Sequence, residues 1–238
     1  MLSGQAALGD WTSDAPGVRR KITVTDLPPP GASRSASNSP RLVARPRNAR
    51  LHVPAGFTIE EYAAGFRDPR VLLTAPNGEI FVSESRANQI RILRDADGDG
   101  KPDSNQVFTE SGLNKPFGIA FYPPGPEPQY LYVANTDGVI RFPYRNGDLK
   151  ARGPAEELGA HLSPGGLLRG GGHWTRGLAF APDGKKMYVS IGSLSNVSDK
   201  ANEADRARIF EFNPDGSGQK SLRLGNPQCR RHRDASRD

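Results

Sequence analysis

The chain has 238 residues, a net charge of +6, 27 glycines and 21 prolines; that length holds one large β domain or two ordinary ones, and this Gly/Pro content suits an all-β fold full of turns. The positive charge belongs to the ends: residues 1–56 carry eight Arg/Lys against three Asp, and residues 229–238 carry four Arg against two Asp, which leaves 57–228 at −1. No basic face with interleaved aromatics accompanies it, so nucleic acid is not expected as a partner.

Met1-Leu2-Ser3-Gly4 opens no signal peptide, because no charged region and apolar core follow. An exported protein with this sequence would have lost its signal from the chain. Residues 1–55 read as an extended leader, and 26–54 are rich in Pro, Ser, Ala and Arg without apolar periodicity. No stretch approaches the ~20 apolar residues of a membrane-spanning helix. The single cysteine, Cys229, falls in the last ten residues. A cysteine-free body fits an exported protein that avoids stray disulfides, although many cytosolic proteins share it.

From Gly56 short apolar or alternating runs appear between Gly, Pro, Asn and Asp punctuation. Three are alike: Pro69 to Ser83 (PRVLLTAPNGEIFVS), Pro116 to Asn135 (PFGIAFYPPGPEPQYLYVAN) and Thr175 to Gly192 (TRGLAFAPDGKKMYVSIG). Each is an apolar strand, a Pro/Gly turn and a strand of the form (I/L/M)-(F/Y)-V. A third strand is expected at Gln89–Leu93, Val139–Phe142 and Arg208–Phe212. Recurrence every 45–60 or so residues is the range of a propeller blade with its loops. Pro76-Asn77-Gly78 and Pro182-Asp183-Gly184 are hairpin turns by composition. The predicted fold is therefore an all-β propeller. Residues 56–228 suffice for about three to three and a half blades, fewer than the roughly four to eight of closed propellers.

Between the first and second repeats lies Asp95-Ala96-Asp97-Gly98-Asp99-Gly100-Lys101-Pro102-Asp103. Oxygens at loop positions one, three, five and nine, with Gly at six, can wrap Ca²⁺, so Asp95, Asp97, Asp99 and Asp103 are the candidate ligands. The twelfth position is Gln106 and no helices flank the loop, which excludes an EF-hand. Two readings are open: a calcium-stapled hairpin, or a solvated Asp/Gly turn.

Gly170-Gly171-Gly172-His173-Trp174-Thr175-Arg176 precedes the inner strand of the third repeat. Of four histidines, His52 lies in the leader and His232 in the tail, leaving His161 and His173 as bases in the body. Starts of inner strands line a propeller's channel, and a glycine run lets backbone approach a flat ligand. Imidazole is the usual base for a hydroxyl proton; a structural role for the histidine is the alternative. Glu84, Arg86 and Asn88, then Asn135, then Ser193 and Asn196 occupy equivalent places after the second strand of each repeat. They form either a polar rim along one face or ordinary turns.

These runs, with HWTR and FPYRNGDLKARGPAE the most specific, resemble the sorbosone dehydrogenase family and, more distantly, soluble quinoprotein glucose dehydrogenases. The resemblance runs from about Gly4 to Pro227. It implies a six-bladed propeller holding pyrroloquinoline quinone over the channel, with Ca²⁺, a sugar or sugar-aldehyde substrate, an electron acceptor such as a cytochrome c or quinone, and a periplasmic or secreted location. His173 matches the family's catalytic base, and Arg176 beside it would contact cofactor or substrate. Arg86, Asn135 and Asn196 are the further cofactor-binding candidates. The glucose enzymes carry an acidic residue directly before the histidine; here that place is Gly172.

The family continues into a fourth repeat that gathers cofactor and calcium contacts. Here CRRHRDASRD follows Gln228. Back-translated with GC-rich codons and read one nucleotide later, it yields AVGIAMHPVT, a peptide like the next repeat. Residues 229–238 are accordingly expected to be a frameshift product and the chain a truncated dehydrogenase whose activity is in doubt for want of the remaining blades. Two other readings stand beside it. A calcium-dependent propeller lactonase would need Asp97 for activity, and a non-enzymatic NHL-like binding propeller would not need His173.

Overall fold

A computed structural model describes residues 1–29, 32, 41, 43–162, 173–193 and 206–222. Asn196, the glycines before His173 and the final basic residues lie outside the described residues. The chain divides into two compact units, Met1–Ile59 and Glu60–Asp238.

In the first unit β1 (Leu2–Ser3) pairs in parallel with β2 (Arg20–Lys21). Three single 3-10 turns punctuate it, at Gly4–Ala7, Trp11–Ser13 and Val24–Asp26. Local polar chemistry holds them. Asp10 Oδ1 accepts the N–H of Thr12 at 2.9 Å, and Thr23 and Asp26 form a reciprocal capping box. Ala7 is its one buried apolar residue among those described, and Trp11 is 86% exposed, so little apolar burial supports this unit.

Among its described residues the second unit holds three four-stranded antiparallel meanders. The first blade is β3 (Pro69–Thr74), β4 (Ile80–Glu84), β5 (Gln89–Arg94) and β6 (Ser104–Thr109). The second is β7 (Ile119–Tyr122), β8 (Tyr130–Ala134), β9 (Gly138–Pro143) and β10 (Glu156–His161). The third is β11 (Arg176–Phe180), β12 (Met187–Ile191), β13 (Arg208–Phe212) and β14 (Lys220–Leu222). The all-β propeller reading holds, and the three repeats are the three blades. The two predicted tight turns share one geometry: Gly78 N–H donates to Ala75 O at 2.9 Å, and Gly184 N–H to Ala181 O at 2.8 Å. Both glycines have positive φ, +90° and +71°, which a Cβ would strain.

The fourth strand of each blade was not anticipated. SNQVFT is half-polar, and KSL spans only three residues, as suits outer strands that pack on one side only.

Strand β8 explains the stacking. Leu131 to Ala134 are all 0% exposed, yet they split by parity. Leu131 and Val133 join Phe81, Ile90, Ile92 and Phe108 of the first blade. Tyr132 and Ala134 join Met187, Val189, Phe210 and Phe212 of the third. Successive side chains leave a strand on opposite faces, so the middle sheet is sandwiched between the other two. Polar bonds stitch the inner strands together. Ser83 Oγ donates to Phe117 O (2.9 Å), Ser85 Oγ to Pro116 O (2.6 Å), and Gly118 N–H to Arg176 O (3.0 Å). At Gly118 an added Cβ would lie 2.6 Å from that same carbonyl oxygen, so only glycine permits the approach of β7 to β11.

Candidate active site

The segments that start the three inner strands meet. The Arg70 guanidinium, from the first blade, lies 5.6 Å from the ring centre of Phe117 and 5.4 Å from that of Trp174. Phe117 enters the second blade and Trp174 the third, and their rings stand edge to face at 6.2 Å. Lys115 Nζ lies 5.6 Å from the Trp174 ring. Because each blade supplies one part, this mouth exists only when the blades are stacked.

His173, next to Trp174, is exposed. Its backbone N–H donates to Ser193 O at 2.9 Å, and its Nδ1 lies 3.0 Å from that oxygen and 3.2 Å from Ser193 Oγ. The carbonyl takes a proton carried on Nδ1, which leaves the Nε2 lone pair free, whereas the Ser193 hydroxyl can donate to a bare Nδ1. These contacts to Ser193 hold the ring's orientation. Gly192 makes room for it, since a Cβ there would lie 2.4 Å from His173 Cβ.

Two arginines support this turn from within. Arg176 is fully buried and its Nη1 donates to His173 O and Thr175 O, both at 3.0 Å. Arg206, 3% exposed, donates from Nη2 to His173 O at 2.9 Å and Ser193 O at 3.2 Å. Burial, with the charge of Arg206 added, lowers the Arg176 guanidinium to about 10, partly offset by Asp137. Arg176 was expected to touch cofactor or substrate; its described contacts instead hold the histidine's backbone from below.

The predicted rim residues do not act alike. Arg86 is exposed in the β4–β5 turn. Asn135 is 4% exposed, with Nδ2 donating to Gly112 O (2.9 Å) and Oδ1 accepting from the Asn114 N–H (3.1 Å). Both ends of its amide are spent on the β6–β7 loop, which carries Lys115. Asn88 Oδ1 accepts the Lys115 N–H at 2.7 Å, fixing the same loop from the first blade. Glu84 is buried, accepting from the Arg67 N–H and Gln89 Nε2 and pairing with Arg91 at 3.6 Å. These polar positions mostly brace the loops that form the mouth. His161 ends β10.

Repeat alignment offered a signal for the missed Arg70 and Phe117, which occupy in PRVLL and PFGIA the position that Arg176 holds in TRGLA. Arg206 and Lys115 carried no comparable signal.

The acidic loop joins β5 to β6, at the outer side of the first blade. One carboxylate oxygen from each of Asp95, Asp97 and Asp99 lies within 4.8 Å of the others. A cation with oxygen ligands at ~2.4 Å needs such spacing, so these three fit Ca²⁺. Asp103 is not grouped with them, and its Oδ2 accepts the Ala96 N–H at 2.5 Å, closing the loop. Gly98 and Gly100 N–H donate to the two oxygens of Asp95 at 2.8 and 2.9 Å. Tyr62 is raised above its usual range by burial and by the charges of Asp95, Asp103 and Asp99.

Fold and mouth together define a stack of propeller blades with a histidine presented at the inner strands. Residues 51–223 match the family described as TrAA12-like, and the chain belongs to that family. No curated protein matches it. Among solved structures it is similar to the holo PQQ domain of pyranose dehydrogenase from Coprinopsis cinerea, with TM-score 0.52 and 19% identity over 66% of this chain and 36% of that one. It is also similar to a carbohydrate-active enzyme of family AA12 from Trichoderma reesei, with TM-score 0.50 and 17% identity over 63% of this chain and 37% of that one. At such identities the likeness is one of fold. The chain spans a little over a third of the length of those structures. Among the described residues no helix is long and apolar enough to cross a membrane.

Proposed function

We propose that these blades supply the base side of a PQQ-dependent sugar dehydrogenase, an exported enzyme that oxidises a sugar hydroxyl or aldehyde and passes the electrons to a cytochrome c or quinone. The observation that carries this reading is His173: exposed, with its Nδ1 edge held against Ser193 O and Oγ, so that a proton on Nδ1 makes Nε2 the acceptor. The mouth fits the cofactor in kind. Two buried guanidinium groups lie under the histidine turn and two cations flank Trp174, a positive environment for a flat tricarboxylate. When bound, pyrroloquinoline quinone accepts two electrons as hydride.

His173 Nε2 takes the hydroxyl proton as the carbinol C–H bond breaks, its electron pair leaving as hydride and the carbonyl forming. Ser193 O stabilises the imidazolium through Nδ1–H, and Arg176 and Arg206 hold the turn against displacement. Asn135 and Asn88 keep the Lys115 loop in place, and Arg86 is exposed enough to meet an entering ligand. Asp95, Asp97 and Asp99, with Asp103 closing the loop, bind Ca²⁺ as a structural staple. The loop joins a third to a fourth strand, away from the inner-strand starts. That position favours the staple over the hydrolytic metal of a lactonase.

Dye reduction by the full chain with added quinone, Ca²⁺ and a panel of sugars tests the reading. Turnover is expected to fall about 10²- to 10⁴-fold in His173→Gln. Turnover at the unsubstituted rate in that variant would remove His173 from the chemistry.

A further inference from the structure

The arrangement around Trp174 has a consequence for ligand class that His173 does not carry. Arg70 and Lys115 each stand within 5.6 Å of the same indole ring, and Phe117 closes a third side. Both cations are brought from outside the third blade, Arg70 by β3 and Lys115 by a loop that Asn88 and Asn135 hold on two sides. A guanidinium stacked on an aromatic spends its flat face there and keeps its N–H edge for an anion. The side chain of Arg70 is 38% exposed, and the carboxylate of Asp68 lies 3.6 Å from its Nη1. An exposed pair of that kind is weak and exchangeable. The neighbouring residue in the chain is His173.

We propose that Arg70, Lys115 and Trp174 form a carboxylate-binding subsite for a ring-shaped ligand. The same chemistry has two sources, an acidic sugar such as a uronate and the acid groups of pyrroloquinoline quinone. The choice between them rests on the dehydrogenase reading; the subsite itself does not. The indole and Phe117 give the ligand ring an apolar wall, and the two cations set which edge carries the acid. A neutral sugar gains that wall without the ion pairs.

Trp11 and Trp174 are the chain's two tryptophans, so Trp11→Phe leaves Trp174 as the sole indole reporter. Titration of that chain with glucuronate, followed by fluorescence and calorimetry, is expected to saturate. The affinity should fall about tenfold in Arg70→Gln or Lys115→Gln, and again in about 0.5 M salt. Arg70→Lys, which keeps the charge but not the planar N–H edge, should lose less than Arg70→Gln, and circular dichroism should be unchanged throughout. Glucose is expected to bind at least tenfold more weakly. Binding of glucuronate assigns the acid group to the sugar. Binding of the quinone alone, lost in the same variants, assigns it to the cofactor. Binding of neither overturns the subsite, as does glucose binding equal to glucuronate or full affinity in the Arg70→Gln/Lys115→Gln double variant. A chain that binds glucuronate yet reduces no dye with any sugar would sink the dehydrogenase reading and leave this subsite standing.

Discussion

The acidic hairpin loop and the histidine mouth are built on opposite principles. Every described hydrogen bond within the loop joins residues of Asp95–Asp103, none more than seven positions apart. The mouth joins Arg70, Lys115, Phe117, His173, Trp174, Ser193 and Arg206, from three blades. A local site survives as long as its hairpin does, whereas an assembled one inherits the stability of the stack. Substitutions that loosen the packing between blades therefore separate the two.

The largest effect is expected from Phe81→Ala. Phe81 is fully buried and meets Phe108, Phe121 and Tyr144 edge to face at 5.1, 5.2 and 5.5 Å, tying the first blade to the second. Truncation should cost about 3–5 kcal/mol in chemical denaturation and disturb Trp174 emission. A loss below about 1 kcal/mol would mean that the blades are not held by this cluster.

Gly192→Ala acts on the mouth alone. Its new Cβ needs the space of His173 Cβ, so the ring must move off Ser193 O. A displacement of about 1 Å at a base can cost about 10²-fold in turnover. Long-range ¹H–¹⁵N spectra should show the His173 Nδ1–H tautomer in the parent chain and its loss in the variant; the Nε2–H tautomer in the parent would contradict the assignment.

Asp97→Asn acts on the loop alone. Ca²⁺ should stabilise the parent and not the variant, while Trp174 emission stays unchanged in both. Cation binding also cancels the carboxylate charge that helps to raise Tyr62, so its ionisation, read as the difference from Tyr62→Phe, should shift downward with Ca²⁺. An unmoved Tyr62 would argue for a solvated turn.

The smallest effect concerns Asp148. Burial raises its carboxyl, but Arg152 Nε at 2.5 Å and the Arg145 N–H at 2.7 Å outweigh that and leave it lowered. A carboxyl depressed in the fold adds stability above its unfolded value and loses it as pH falls through the folded one. Asp148→Asn should therefore flatten the acid limb below about pH 4, by under about 1 kcal/mol given the half-exposed Arg152. An acid limb identical to the parent's would show that the pair adds nothing.

Much of the fold was legible because its signals are local. Turn residues and alternating strands recur three times, so Pro76-Asn77-Gly78 and Pro182-Asp183-Gly184 could be placed without any neighbour. The acidic loop was legible for the same reason, its oxygens and glycines being fixed by spacing. The site was half legible. His173 stood out by position and by scarcity of histidine, but the bonds of Arg176 to His173 O and Thr175 O were not legible, because adjacency in the chain does not reveal which way a side chain points. Asn135 was read as rim because turn position cannot distinguish an amide that meets a ligand from one that braces a loop.

The sequence by itself determined the class of fold, the three-blade repeat and the candidate base, since periodicity, turn chemistry and residue type are properties of short segments. Only the tertiary structure decided that Ser193 orients His173, that Arg176 and Arg206 support it from within, and that Arg70 and Lys115 flank Trp174. Those relations join residues up to about a hundred positions apart, through close approaches such as that at Gly118. Stacking of whole sheets creates them, and no short segment carries the information.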